Sequence, residues 1–208
     1  MRGRRNPFIA REGLPFILLL AVGAGVTAWY VSLVYALLML PVLAWLLLVF
    51  RDPRRQIPAA PLGIVSPVDG EVIEVGVVPS RLAQGDSNQI RIRIDSFGAY
   101  TARSPTEGKI MDLRCDLPAG AKARNSRGLW VRTDENQDVL LEFYGYRFGL
   151  APRAFLGFGE RIGQGQRCAY LRLAKIAEVQ MPLDSRALVT VGQRVAAGTD
   201  LIARLPHP

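Results

Sequence analysis

Ser66-Pro67-Val68-Asp69-Gly70-Glu71-Val72 recurs thirty-eight residues later as Ser104-Pro105-Thr106-Glu107-Gly108-Lys109-Ile110. In each copy Pro and Gly set a turn, and a strand carrying a β-branched residue leaves it. Outward from these turns, Glu71-Val72-Ile73-Glu74-Val75 and Gln89-Ile90-Arg91-Ile92-Arg93-Ile94 alternate apolar and polar residues, as half-buried strands do. Val139 to Tyr144 and Ile176 to Met181 read similarly. Gly and Pro interrupt the chain often after residue 50, and no amphipathic helix of three turns stands out there. A second pattern, Gly159-Glu160-Arg161-Ile162-Gly163-Gln164-Gly165, returns thirty-three residues on as Gly192-Gln193-Arg194-Val195-Ala196-Ala197-Gly198. The class is all-β, with helix confined to the region before residue 51.

The glycine-bounded turn with one inward aliphatic resembles the hairpins of biotinyl- and lipoyl-type barrel-sandwich domains. The repeats are too few and too irregular for a solenoid. The expected architecture is a barrel-sandwich-like domain of crossed β-hairpins over residues 51–208.

Ahead of it, Leu14 to Phe50 form thirty-seven positions without a charge. A helical span needs about 20 residues, so the run suits two passes. The break is expected between Thr27 and Ser32, where small, polar and aromatic residues cluster. Arg2, Arg4, Arg5 and Arg11 precede the run, and Arg51, Arg54 and Arg55 follow it. Positive flanks at both ends place both in the cytoplasm. The organisation expected is a basic cytoplasmic arm (1–13), a transmembrane helical hairpin (14–50) and a β domain facing the cytoplasm from the inner membrane. Both arms are near the shortest workable span, which leaves open a hairpin dipping partway into one leaflet. The apolar stretch is too long for a signal peptide, and no small-residue cleavage site follows it.

The chain carries a formal charge of +8, and without the four Arg and one Glu of the arm the remainder keeps 22 basic and 17 acidic residues. An anionic phospholipid membrane is the partner this charge favours. No recognition motif for nucleic acid is present. Cys115 and Cys168 lack metal-ligand spacing and read as buried apolar thiols.

Ala10-Arg11-Glu12-Gly13-Leu14-Pro15-Phe16, Phe50-Arg51-Asp52-Pro53-Arg54-Arg55 and Ser66-Pro67-Val68-Asp69-Gly70 together resemble the short, membrane-bound phosphatidylserine decarboxylases. The match continues in order through Ala102-Arg103-Ser104-Pro105, Gly159 to Gln166, and Val191-Gly192-Gln193-Arg194-Val195. That resemblance implies a proenzyme that cleaves itself at a Gly-Ser step. The serine hydroxyl attacks the preceding carbonyl, the ester undergoes β-elimination, and the new N-terminus becomes a pyruvoyl group that forms a Schiff base with the substrate amine. A histidine base activates the serine, and an acid orients the histidine.

By this resemblance the acid falls on Asp69. The histidine position, five residues before Pro105, holds Tyr100, and the family's Arg-Phe-Gly-Ser reads Arg172-Leu173-Ala174-Lys175. The single histidine of the chain is His207. A lysine forms no ester and has no β-leaving group, so no pyruvoyl cofactor is expected. Tyr100 is a poor base near neutrality, with an ordinary pKa of about 10. Ser126 and Ser185 follow Asn125 and Asp184, not glycine, and suit turns rather than a rescue of the missing serine. Asp69 reads either as a turn residue or as a remnant of binding chemistry, and Lys175 as a solvated charge or, less simply, a modified lysine. Arg103 reads as solvated or as a contact to a lipid phosphate. The residue assignments require Asp69, Tyr100 and Lys175 to converge.

Three functions follow as expectations. The first is a catalytically inactive paralogue acting in phospholipid binding or metabolism, partnered by a second copy or by an active paralogue. The second is a working lyase that decarboxylates phosphatidylserine or a related lipid by a variant route. The third is a membrane-tethered barrel-sandwich adaptor, disfavoured by the lack of coiled-coil heptads.

Overall fold

A computed structural model describes residues 8–82, 85–113, 127–146 and 150–206. Arg2, Arg4, Arg5, Cys115, Ser126 and His207 lie outside them.

The uncharged run folds as two helices, α1 (Leu14–Tyr30) and α2 (Leu33–Val49), each of 17 residues. The break falls at Val31-Ser32, where the Ser32 hydroxyl caps α2 by accepting from the Val34 amide at 3.3 Å. At a rise of about 1.5 Å per residue each helix is roughly 25 Å long. Among the described residues no helix is long and apolar enough to cross a membrane. The expected hairpin is present, but two full spans are not supported. The turn splits thirty-seven residues into halves that each fall short of the length a bilayer core requires. Side chains such as Leu19, Trp29 and Leu38 are exposed, and only Ala36 is buried.

The two ends of the hairpin meet. Ala10 donates its amide to the Phe50 carbonyl at 2.8 Å, and Asp52 to that of Phe8 at 2.7 Å. Gly13 lies against the Phe50 ring so closely that a Cβ there would stand 2.3 Å from Cγ.

Fourteen strands follow in the described residues: β1 (Gly63–Val65), β2 (Gly70–Pro79), β3 (Asp86–Ile94), β4 (Thr101–Arg103), β5 (Gly108–Asp112), β6 (Arg127–Arg132), β7 (Asp138–Tyr144), β8 (Arg153–Ala154), β9 (Arg161–Ile162), β10 (Arg167–Tyr170), β11 (Ile176–Pro182), β12 (Arg186–Ala187), β13 (Arg194–Val195) and β14 (Leu201–Arg204). They form an eight-stranded sheet in the order β13-β2-β3-β11-β7-β6-β5-β9 and two three-stranded sheets, β1-β14-β12 and β4-β10-β8. The protein is thus mostly β, and the four strands expected from alternation are β2, β3, β7 and β11. One apolar core joins all three sheets, through Ile64 and Ile202, Ala102 and Cys168, and Val72, Ile92, Leu141 and Val179. Burial pushes the Cys168 thiol up to about 12, so it stays protonated.

The two sequence repeats are structural repeats related by an approximate twofold. Ser66 Oγ donates to the Val68 carbonyl and Ser104 Oγ to that of Thr106, both at 2.7 Å. Val65 donates its amide to Pro105, and Arg103 reciprocally to Pro67. Gly198 donates to Ser66 and Gly165 to Ser104, while Gly192 donates to Val72 and Gly159 to Ile110. Strand β13 therefore pairs with β2 (Val195 opposite Gly70) just as β9 pairs with β5 (Ile162 opposite Gly108).

Strands β7 and β11 depart from the half-buried expectation, being buried on both faces. Away from the apolar core, the fully buried carboxylates Glu142 and Glu178 stand opposite each other across the ladder. Arg81 contacts Glu142 at 2.7 Å, Arg91 Nε donates to Glu178 at 2.8 Å, and the Tyr144 hydroxyl donates to Glu142 at 2.7 Å. Buried charges persist only when paired in this way.

Candidate functional site

The turn before β2 presents Asp69, whose carboxylate is 9% exposed as a residue and ties three segments together. Oδ1 accepts from the Ala197 amide at 2.7 Å, and Oδ2 from the Ala99 amide and from Arg55 Nη2, each at 2.8 Å. It caps the main chain of other segments rather than its own turn.

Tyr100 follows Ala99 directly. Its amide donates to the Arg51 carbonyl and its carbonyl accepts from the Leu171 amide, each at 3.0 Å. Its ring packs 4.8 Å from that of Phe50 and 5.9 Å from that of Tyr170. The hydroxyl donates to Glu12 Oε2 at 3.2 Å, not to Asp69. Burial first, and then the Glu12 charge, hold the Tyr100 phenol well above its ordinary range. The side chain is neutral at pH 7 and offers no base.

Leu171 to Ala174 form a turn closed by the Ala174 amide on the Leu171 carbonyl, with Arg172 at φ +52°. Lys175 leaves this turn: its amide donates to Tyr144 at 3.0 Å, its carbonyl accepts from Ile94 at 2.8 Å, and its side chain is exposed. Ile94 stands opposite Gly70. A short chain of main-chain contacts therefore links Asp69, Tyr100 and Lys175. No side-chain dyad forms between Asp69 and Tyr100, and neither Ala174 nor Lys175 carries a hydroxyl or thiol.

Glu12, the acid of the N-terminal arm, is the functional neighbour that sequence reasoning missed. It accepts from Tyr100 and from Arg172 (Nη2 to Oε1, 2.8 Å), and lies 3.8 Å from Arg153. The available signal was its isolation as the single acid among the first thirteen residues. Glu12→Gln is expected to loosen the arm by about 1.5–3 kcal/mol, the range of one hydrogen bond to a charged group, read by denaturant unfolding. Without the neighbouring negative charge the Tyr100 phenol should titrate at lower pH than in the unaltered chain, read as phenolate absorbance against Tyr100→Phe.

Asp52, fully buried at the base of the hairpin, pairs with Arg167 and accepts from the Thr101 hydroxyl at 2.6 Å. Arg103 Nη2 lies 3.7 Å from the same carboxylate and donates to the Pro53 carbonyl at 3.0 Å, while Nη1 donates to Gly165 at 3.0 Å. Arg103 is 2% exposed, so it is not a solvated surface arginine. Two clefts flank these residues. One, of about 380 Å³, is lined by Asp69, Arg55, Arg93 and Arg194, and the other, of about 540 Å³, by Arg55, Arg103, Arg161 and Arg167.

The helical hairpin thus docks on a β domain whose first turn carries the clamped acid. The chain belongs to the phosphatidylserine decarboxylase family. It is 30% identical to the phosphatidylserine decarboxylase proenzyme of Burkholderia ambifaria, over 96% of this chain and 97% of that protein. The proenzyme so named in Aromatoleum aromaticum is also 30% identical, over 97% of each chain, and that of Nitrosomonas eutropha is 29% identical over 95% of each. No family model matches the chain, and no solved structure matches it.

Proposed function

We propose that this member of the family does not process itself and acts as a membrane-associated phospholipid-binding protein. The observation that carries the reading is the tip at Ala174-Lys175, which has no hydroxyl or thiol to form an ester, beside a Tyr100 held protonated by burial and Glu12. Asp69 has both carboxylate oxygens engaged, by the Ala197 and Ala99 amides and by Arg55. A pyruvoyl group does not fit such residues, because neither Ala174 nor Lys175 can form the ester from which it arises. The exposed apolar faces of α1 and α2 support membrane attachment, because apolar surface of that extent favours lipid over water. Helices of this length suit a hairpin dipping into one leaflet of the inner membrane, with the basic flanks and the β domain on the cytoplasmic side.

Denatured intact mass tests the reading. A single species near 22.9 kDa is expected. Two fragments, the smaller starting near residue 175, would overturn it. The double substitution A174G/K175S is expected to remain uncleaved, since it restores the nucleophile without a base; cleavage is expected to appear only when Tyr100→His is added.

A second reading, a lyase acting on phosphatidylserine or a related lipid by a variant route, is favoured by relatives named as proenzymes that align over almost their whole length. Release of carbon dioxide from phosphatidylserine vesicles by the uncleaved chain would establish it.

A further inference from the structure

Strand β2 has an open edge. On one side it pairs with β3 along its whole length, Gly70 to Pro79. On the other, β13 covers only Gly70 and Glu71, and Val72 exchanges main-chain hydrogen bonds with Gly192 and Gln193. Between Val72 and Ser80, no described residue bonds to the outer side of the strand. The internal repeat does not require this length. Displacement by thirty-eight residues carries Glu74 to Asp112, where β5 ends, so Val75 to Pro79 extend β2 beyond its mate.

The ladder fixes which groups are free. The Ile94 amide donates to the Lys175 carbonyl at 2.8 Å, so Ile94, Ile92, Ile90 and Asn88 turn their main chain to β11. Arg93, Arg91, Gln89 and Ser87 turn theirs to β2, where Glu71, Glu74, Gly76 and Val78 stand opposite. Val75 and Val77 are left with amide and carbonyl facing outward. Such groups are a template for another strand, and folded proteins usually blunt them with lysine, proline or a bulge. Here the irregularity at Ile73 and the proline at 79 bound the segment, and neither device interrupts its middle. Glu74 is its one charge, paired with Arg91 at 2.7 Å. Val77 is 56% exposed. Exposed Leu183 and Val191 lie alongside, the first through its carbonyl on Asn88, opposite Val77, and the second next to Gly192.

We propose that this edge pairs with the same edge of a second copy, β2 antiparallel to β2 about a twofold axis at Gly76, joining two eight-stranded sheets into one. The occupant is a second copy because the segment complements itself in one register. With Gly76 opposite Gly76, Val75 of each copy meets Val77 of the other, and these are the residues whose groups face outward. Glu74 then stands opposite Val78 rather than another carboxylate. Centring the pair on Val75 brings Val77 against the irregular Ile73, and centring it on Val77 brings Val75 against Pro79, which has no amide to donate. The axis stands perpendicular to the sheet. The β4-β10-β8 sheet, which holds the helical hairpin through Thr101 and Arg167 on Asp52, therefore lies on the same side of the joined sheet in both copies, as two chains anchored in one membrane require.

The test uses the full chain in non-ionic detergent. Sedimentation equilibrium, corrected for bound detergent, should give about twice the chain mass of 22.9 kDa. Val77→Pro should give the single-chain mass with an unchanged circular dichroism spectrum, because an outward amide can be lost without breaking a bond to β3. Val77→Lys should separate the copies by charge. Gly76→Cys has open space for its side chain, and opposed residues of this kind have Cα atoms about 4.5 Å apart, within disulfide reach. In a Cys115→Ser background it should form a linked dimer on oxidation with copper phenanthroline, whereas the exposed control Phe158→Cys should not. A single-chain mass for the unaltered chain overturns the pairing. A doubled mass for folded Val77→Pro and Val77→Lys puts the contact elsewhere and overturns it too. A doubled mass with no linkage at Gly76→Cys overturns the register about Gly76.

Discussion

Gly108→Ala is expected to destabilise the protein by about 4 kcal/mol, and its mate Gly70→Ala by about 3 kcal/mol, both read by denaturant unfolding of the full chain in detergent. A Cβ at Gly108 would stand 2.2 Å from the Arg132 carbonyl oxygen, and one at Gly70 2.1 Å from that of Arg93. Main chain of a paired strand cannot swing aside as a flexible side chain can, so the ladder itself must open. Gly108 also sits at φ +153°, where an L side chain is strained, which is why its cost is the larger. Gly192→Ala is the control. It has φ +88° but nothing within 4 Å of the added carbon, and about 1 kcal/mol is expected. Equal effects at Gly108 and Gly192 would show that backbone conformation, not close approach of strands, governs these turns.

These glycines were legible because Pro-x-acid-Gly is a local signal: the turn and the departing strand are specified within seven residues. Strands β2 and β3 were legible for the same reason, since alternation is read one strand at a time. The burial of Glu142 and Glu178 was not. A carboxylate in a strand reads as solvent-facing, and only the arrival of Arg81 and Arg91 from elsewhere makes burial tolerable. Arg103 misled in the same way, because its environment is supplied by Pro53 and Gly165, fifty and sixty-two residues distant, and by Asp52. Glu12 was hidden by distance as well, meeting Arg172 across 160 residues. The uncharged run announced a helical hairpin, and its small, polar and aromatic residues placed the break between Thr27 and Ser32, where the Ser32 cap starts α2.

Asp69→Ala is expected to destabilise the fold by about 3–4 kcal/mol, a larger loss than a vestigial catalytic side chain would produce. The alanine removes acceptors from two amides, Ala99 and Ala197, and from Arg55, and hydrogen bonds to a charged group contribute about 1.5–3 kcal/mol each before neighbours relax. Both amides are then left in a buried setting without their acceptor, the costlier half of the asymmetry between making and losing a hydrogen bond. For a chain of this size the melting temperature should fall by roughly 10 °C. Asp69→Asn keeps one carbonyl oxygen and should lose about half as much. Residual chemistry predicts a different pattern, in which stability is unchanged and only ligand binding or turnover falls. The two patterns also separate two reasons for an acid at position 69. An acid whose task was to orient a base would have nothing to orient at Tyr100, whose hydroxyl faces Glu12. An acid that clamps Ala99, Ala197 and Arg55 together would be needed whether or not the protein ever cleaves itself, and unfolding of the Asp69→Ala chain discriminates between these two roles without any assay of activity.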